Sequence, residues 1–139
     1  MCKTSQQTSI QNGSVMSKLF LAVDGDDVGR KLEYYIITNQ LKSLQEFFVN
    51  FQLAMKWLEN MLVNEYSATI IFNGGDNLLA DIYNIPLSVG DIDLIRIKFS
   101  TISGNTISIG LGNSPRNAYI ALKIAKASGK NRTELVEDL

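Results

Sequence analysis

At 139 residues, with 45% hydrophobic and 19% charged content, the chain has the material for one globular domain around a single core and not for two. Its formal net charge of -1 provides no basic surface for stable, sequence-independent binding to duplex nucleic acid. It has no histidine and one cysteine, Cys2, which excludes an intrachain disulfide, a zinc site, a Ser-His triad and a Cys-His dyad within one chain.

Residues 1–16 are rich in Ser, Thr, Gln and Asn and carry little to bury, so the sequence predicts a disordered leader, with Met1 and Met16 both available as the start. No apolar run approaches the roughly 20 residues of a membrane span, and the leader lacks the apolar centre of a signal peptide. A cytoplasmic protein without membrane insertion is expected, with its folded domain at 17–139.

That domain opens with a strand, Lys18 to Val23, which runs into the acidic turn Asp24-Gly25-Asp26-Asp27. Val28, Leu32, Tyr35 and Ile36 then recur at helical spacing, predicting a helix to about Thr38. Asp26 and Asp27 have an ordinary reading here, as acidic residues that complement the amides and dipole of a helix start. A longer helix follows, with Leu41, Leu44, Phe48, Phe51, Met55, Leu58 and Leu62 three and four apart. Phe47, Ala54 and Met61 widen its apolar face, which favours packing on a sheet over a coiled-coil seam.

Next comes a hairpin over residues 68–83, closed by Pro86, whose turn Asn73-Gly74-Gly75-Asp76-Asn77 uses glycine where positive φ is needed. Ser88 with Asp91 forms a capping pair, and Ile92, Ile95, Phe99 and Ile102 continue at helical spacing, although Ile95 to Phe99 also alternates as a strand does. Thr106 to Gly110 alternates and reads as a strand. Ser114-Pro115 caps a helix with a small-residue face of Ala118, Ala121, Leu122 and Ala125, ended by Gly129. Lys123, Lys126 and Lys130 share one side, where a solvated lysine face is the default expectation. Arg132 to Asp138 is expected as a last, edge strand.

The predicted order is β-α-α-β-β-α-β-α-β, an α+β chain with a ferredoxin-like β-α-β-β-α-β unit at its centre. In that unit the first and third core strands are neighbours, which brings the strand end at Asp24 beside the hairpin tip at Asp76. Two carboxylates at one sheet edge suit a hard divalent cation such as Mg2+ and metal-assisted phosphoryl chemistry. The expected architecture is a palm with an antiparallel or mixed sheet and its helices on one face.

The strand end at Asp24, the Gly74-Gly75-Asp76-Asn77 hairpin, the Ser108-Ile-Gly110 strand and the string Ala121-Leu-Lys-Ile-Ala-Lys-Ala-Ser-Gly-Lys-Asn131 resemble matching elements of GGDEF-type cyclases. They also resemble the palm of the large polymerase-like subunit of type III CRISPR complexes. The chain is most similar to the minimal CRISPR polymerase family, over residues 17–139. That resemblance implies Asp24 and Asp76 as catalytic ligands of Mg2+ or Mn2+, with the Gly25 carbonyl and Asn77 beside them. It implies that Lys126 and Lys130 hold a triphosphate, with Gly74 and Gly75 at the same site and backbone amides of Gly25, Asp26, Asp27, Val28 and Gly29 facing the phosphates.

Three departures qualify the resemblance. Most relatives carry an acidic residue where this chain has neutral Asn77, a weaker ligand for a hard cation, although Asp27 could supply charge if its turn curls back. Leu32 stands where guanine-specific cyclases place asparagine, so ATP is favoured over GTP. The inhibitory arginine site is also missing, since Tyr66-Ser-Ala-Thr69 occupies that stretch. The resemblance implies a synthase of a cyclic di- or oligonucleotide, in antiphage defence, whose product acts on a separate effector; since one palm has room for one triphosphate and a cyclic dinucleotide needs two, a homodimer or larger assembly is expected. A nucleotide-binding palm without catalysis and a nucleotide hydrolase on the same scaffold stand as alternatives.

Overall fold

The computed structural model describes residues 18–83 and 87–138. The leader and Pro86 lie outside the described residues. The elements are β1 (Lys18–Gly25), α1 (Val28–Ile37), α2 (Leu41–Tyr66), β2 (Thr69–Asn73), β3 (Asn77–Tyr83), α3 (Val89–Ser103), β4 (Ile107–Gly112), α4 (Pro115–Ala127) and β5 (Thr133–Val136). The β-α-α-β-β-α-β-α-β order is the expected one.

The five strands form one mixed sheet in the order β2-β3-β1-β4-β5. β1 is central, antiparallel to both β3 and β4, and β5 joins β4 in parallel at the edge. Alternation along β1 divides its side chains between two faces. Leu19, Leu21 and Val23 join Leu78, Ala80 and Ile82 of β3 and Ile107, Ile109 and Leu111 of β4 under α2 and α3. Phe20 and Ala22 point the other way and meet Ala118 and Leu122 of α4. The helices therefore cover both faces and not one, as the sequence reading had it. β4 explains why: all six of its residues are buried, so both of its faces need a cover. Gly110 and Gly112 let α4 lie directly on the strand, since a Cβ at either would overlap backbone atoms of α4.

The stripe on α2 is only half core. Phe51, Ala54, Met55, Leu58 and Leu62 are buried, whereas Leu41 and Phe48 are 65% and 53% exposed. At 26 residues the helix is about 39 Å long, and its buried residues begin only at Phe51. α1 itself buries only Val28. The stretch Ile95 to Phe99 is helical, held in α3 by the Ser88–Asp91 capping box; Gly129, at φ 118, follows the end of α4.

Candidate functional site

β1 ends where three chain segments meet. Asp24 stands in register with Asn77 of β3 and Ser108 of β4. One residue on, the Gly25 amide donates to the Asp76 carbonyl at 2.8 Å, stitching the end of β1 to the hairpin turn. That turn is built by Gly75 at φ 95, with its amide on the Asn73 side chain and the Gly74 amide on the Asn77 carbonyl. Asp27 takes a left-handed conformation, φ 58, and starts α1 without a side-chain cap. The first amides of a helix have no acceptor inside it, so Val28 and Gly29 present theirs outward.

Asp26 is the buried member of the acidic turn, 4% exposed. Its carboxylate accepts from the Thr106 and Ser108 hydroxyls, each at 2.7 Å, from the Asn131 amide at 3.0 Å and from Lys126 Nζ at 2.8 Å. Its own amide donates to the Thr106 carbonyl at 3.0 Å. Burial pushes this carboxyl up, but the bonds from Lys126, Thr106 and Ser108 outweigh it and hold the group below the ordinary carboxylate range. The amides of Gly25 and Asp26 are thus used within the fold. Neither amide therefore has a hydrogen free to face a phosphate, the role the sequence reading expected of them.

Lys126 rises from the last turn of α4 into the same place. Its Nζ lies 3.0 Å from Asp24 Oδ2, 2.8 Å from Asp26 Oδ1 and 2.9 Å from the Gly25 carbonyl oxygen. Burial pulls this ammonium down, and the bonds and charges of Asp26 and Asp24 more than restore it, so it stays charged. The solvated lysine face therefore does not describe Lys126. Lys123, by contrast, is exposed and lies over the Tyr119 ring. Lys130 belongs to the turn after α4, at φ 64, and pairs with Asp27 at 2.6 Å.

Two cavities flank this strand end. One, of about 310 Å3, is bordered by Asp24, Asn77, Leu79, Tyr119, Lys123 and Lys126. The other, of about 360 Å3, is bordered by Val28, Leu32, Phe47, Gln52, Gly75 and Asp76. Asp24, Asn77 and Lys126 come together at the first cavity, and the Gly25 carbonyl joins them through its bond from Lys126. Asp76 is tied to them through its backbone but borders the second. Phe47 and Gln52 carried no signal in the sequence beyond a place on a helix face, and the inward role of Asp26 was hidden behind its likeness to Asp27.

No cluster of three or more acidic, cysteine or histidine side chains forms a metal cage among the described residues. The donors present are nonetheless of the right kind for Mg2+, which takes oxygen ligands and keeps waters beside one or two carboxylates. An ammonium already stands among the Asp24 and Gly25 oxygens, so the place accommodates a cation.

The model of the minimal CRISPR polymerase domain matches residues 20–136. The chain belongs to this family. The match takes in β2 to β5 whole and β1 from Phe20 on. Among solved structures, the chain is similar to the active GGEEF domain of a diguanylate cyclase from Vibrio cholerae, at 14% identity and TM-score 0.57, over 88% of this chain and 84% of that one. It is also similar to the Csm1-Csm4 cassette in complex with cA4, at 18% identity and TM-score 0.59, over 84% of this chain and 20% of that one. A third is the diguanylate cyclase SiaD in complex with its activator SiaC from Pseudomonas aeruginosa, at 18% identity and TM-score 0.53, over 86% of this chain and 50% of that one. At these identities the likeness is one of fold, a cyclase and polymerase palm. No curated protein matches the chain. No helix among the described residues is long and apolar enough to cross a membrane.

Proposed function

We propose that this palm is a nucleotidyltransferase that joins nucleoside triphosphates, ATP foremost, into a cyclic di- or oligonucleotide and releases pyrophosphate. The observation that carries the reading is the convergence of Asp24, the Gly25 carbonyl, Lys126 and the uncapped start of α1 at the end of the central strand. Acid for a cation and base for an anion sit within one hydrogen bond of each other there, as metal-assisted phosphoryl transfer requires.

A ribose hydroxyl of one nucleotide would attack the α-phosphorus of another in line, and pyrophosphate would leave. Mg2+ or Mn2+ held by Asp24, the Gly25 carbonyl, Asp76 and Asn77 would lower the hydroxyl pKa and neutralise charge on the leaving group, so no histidine base is needed. The Val28 and Gly29 amides, Lys126 and Lys130 would hold the phosphates. Gly74 and Gly75 keep the hairpin tip free of side chains beside them. The cA4 complex of the Csm1-Csm4 neighbour and Leu32 in place of asparagine support adenine. We place the enzyme in the cytoplasm, as a homodimer in antiphage defence whose product acts on a separate effector.

A second reading, a palm that binds nucleotides without turning them over, draws on Asn77, which stands opposite Asp24 where a second carboxylate would strengthen the cation site. One experiment tests both: incubation with each triphosphate and Mg2+ or Mn2+, with products identified by mass spectrometry. Pyrophosphate with a phosphodiester-linked product is the expected result. Binding without turnover would replace the first reading by the second, and free phosphate or an altered base would replace both by a hydrolase.

A further inference from the structure

An ammonium has three hydrogens to donate, and Lys126 spends all three inside the protein, on Asp24 Oδ2, Asp26 Oδ1 and the Gly25 carbonyl. None is left for a phosphate. Two of those three oxygens are the ones assigned above to the divalent cation. The same oxygens cannot serve both at once, because a divalent cation and an ammonium a few ångströms apart repel each other.

We propose that Lys126 is the resident cation of the metal cradle, and that it yields Asp24 and Gly25 only when a triphosphate offers its ammonium other oxygens. The inference rests on the proposed reading of Asp24 and Gly25 as metal ligands. Asp26 is the fixed point of the exchange: Thr106, Ser108 and the Asn131 amide hold it from three further directions, so it stays put while the lysine stem turns. Lys126 sits in the last turn of α4 on a flexible four-carbon stem. A bare divalent cation has to displace that ammonium with nothing to receive it. A cation arriving with a triphosphate brings the receiving oxygens along, so the two ligands bind with positive coupling, and the coupling passes through Lys126.

The test uses Mn2+ alone, without nucleotide, titrated into the full chain while free Mn2+ is followed by electron paramagnetic resonance. Lys126→Met removes the competing charge and should tighten Mn2+ binding roughly tenfold or more, whereas Lys126→Arg, which keeps the charge, should follow wild type. If the Met variant melts below the assay temperature, Lys126→Gln carries the comparison, since its neutral amide can still donate to Asp26. Neutral variants that bind Mn2+ no more tightly than wild type overturn the proposal. Asp24→Ala in the Lys126→Met background separates the two levels. If Mn2+ binding survives that change, the cradle itself is wrong and the functional reading falls with it. If Asp24→Ala abolishes binding while the neutral variants gain nothing, only the coupling through Lys126 is lost.

Discussion

Removing the Asp26 carboxylate takes an acceptor from Lys126, Thr106, Ser108 and Asn131 at once; Lys126 keeps Asp24 and the Gly25 carbonyl and the Asn131 amide keeps Ser108 Oγ, but the Thr106 and Ser108 hydroxyls are left to donate to nothing in the site. Asp26→Ala should therefore cost about 3 kcal/mol or more of stability, the usual effect of breaking a buried ion pair from one side. Asp24→Ala and Asp76→Ala should do the opposite: abolish product while leaving the melting transition near wild type, because Lys126 keeps Asp26 and Asp76 is exposed. Thermal melts alongside product assays check the contrast, and near-wild-type turnover in either Asp24→Ala or Asp76→Ala would remove that residue from the site. Asn77→Asp should maintain or raise activity if the neutral amide is a weakened ligand; complete loss would give Asn77 a specific neutral role. In the sequence Asp26 and Asp27 are adjacent, identical and equally compatible with a helix start. What separates them is the left-handed conformation of Asp27 and the inward path of the turn, and no local pattern encodes which of two neighbouring carboxylates meets the hydroxyls of a strand some eighty residues away.

At the level of elements, the strands and helices were legible wherever local chemistry and packing agreed. Ser88 and Ser114 announced their helices through capping that the structure contains, and the alternation at Thr106 to Gly110 became the buried strand β4. The long stripe on α2 was read correctly as helical but too generously as core. Periodicity reports which face is apolar, and only the length of the sheet decides how much of that face is covered. The edge strand β5 depends on a polar tie: Asp93 of α3 accepts from Arg96 and from the Thr133 hydroxyl at 2.7 Å. Burial raises the Asp93 carboxyl, and the Arg96 and Thr133 bonds outweigh it, so its folded pKa is lowered. A lowered folded pKa means stability that is present above the unfolded value and lost as pH falls through the folded one. The stability difference between wild type and Asp93→Asn should thus be constant from pH 7 to about pH 5 and shrink below about pH 4. Denaturant melts of both proteins across that range measure it, and a difference that grows on acidification would contradict the assignment.

The whole molecule raises a question of stoichiometry. One palm of this size offers one Lys126–Asp24 cluster with an uncapped helix start beside it, which is one triphosphate site, yet a cyclic dinucleotide needs two nucleotides that each present a hydroxyl to the other's α-phosphate. Two copies facing each other across a two-fold axis supply that arrangement, and two-fold pairing is the commonest way for identical chains to associate. The surface beside the site suits such a pairing: Phe48 borders the Asp76 cavity and also lines an apolar groove with Leu32, Ile36, Leu44 and Val49. The active species should therefore be at least a homodimer, with the Asp24 and Asp76 edges near the shared interface. Specific activity should fall on dilution through the dimer dissociation constant, and an excess of Asp76→Ala chains should suppress wild-type turnover by capturing wild-type copies in inactive pairs. Activity per chain that stays constant down to concentrations where sizing finds only monomer would instead require one chain to handle both nucleotides in succession, through a linear intermediate that leaves and rebinds.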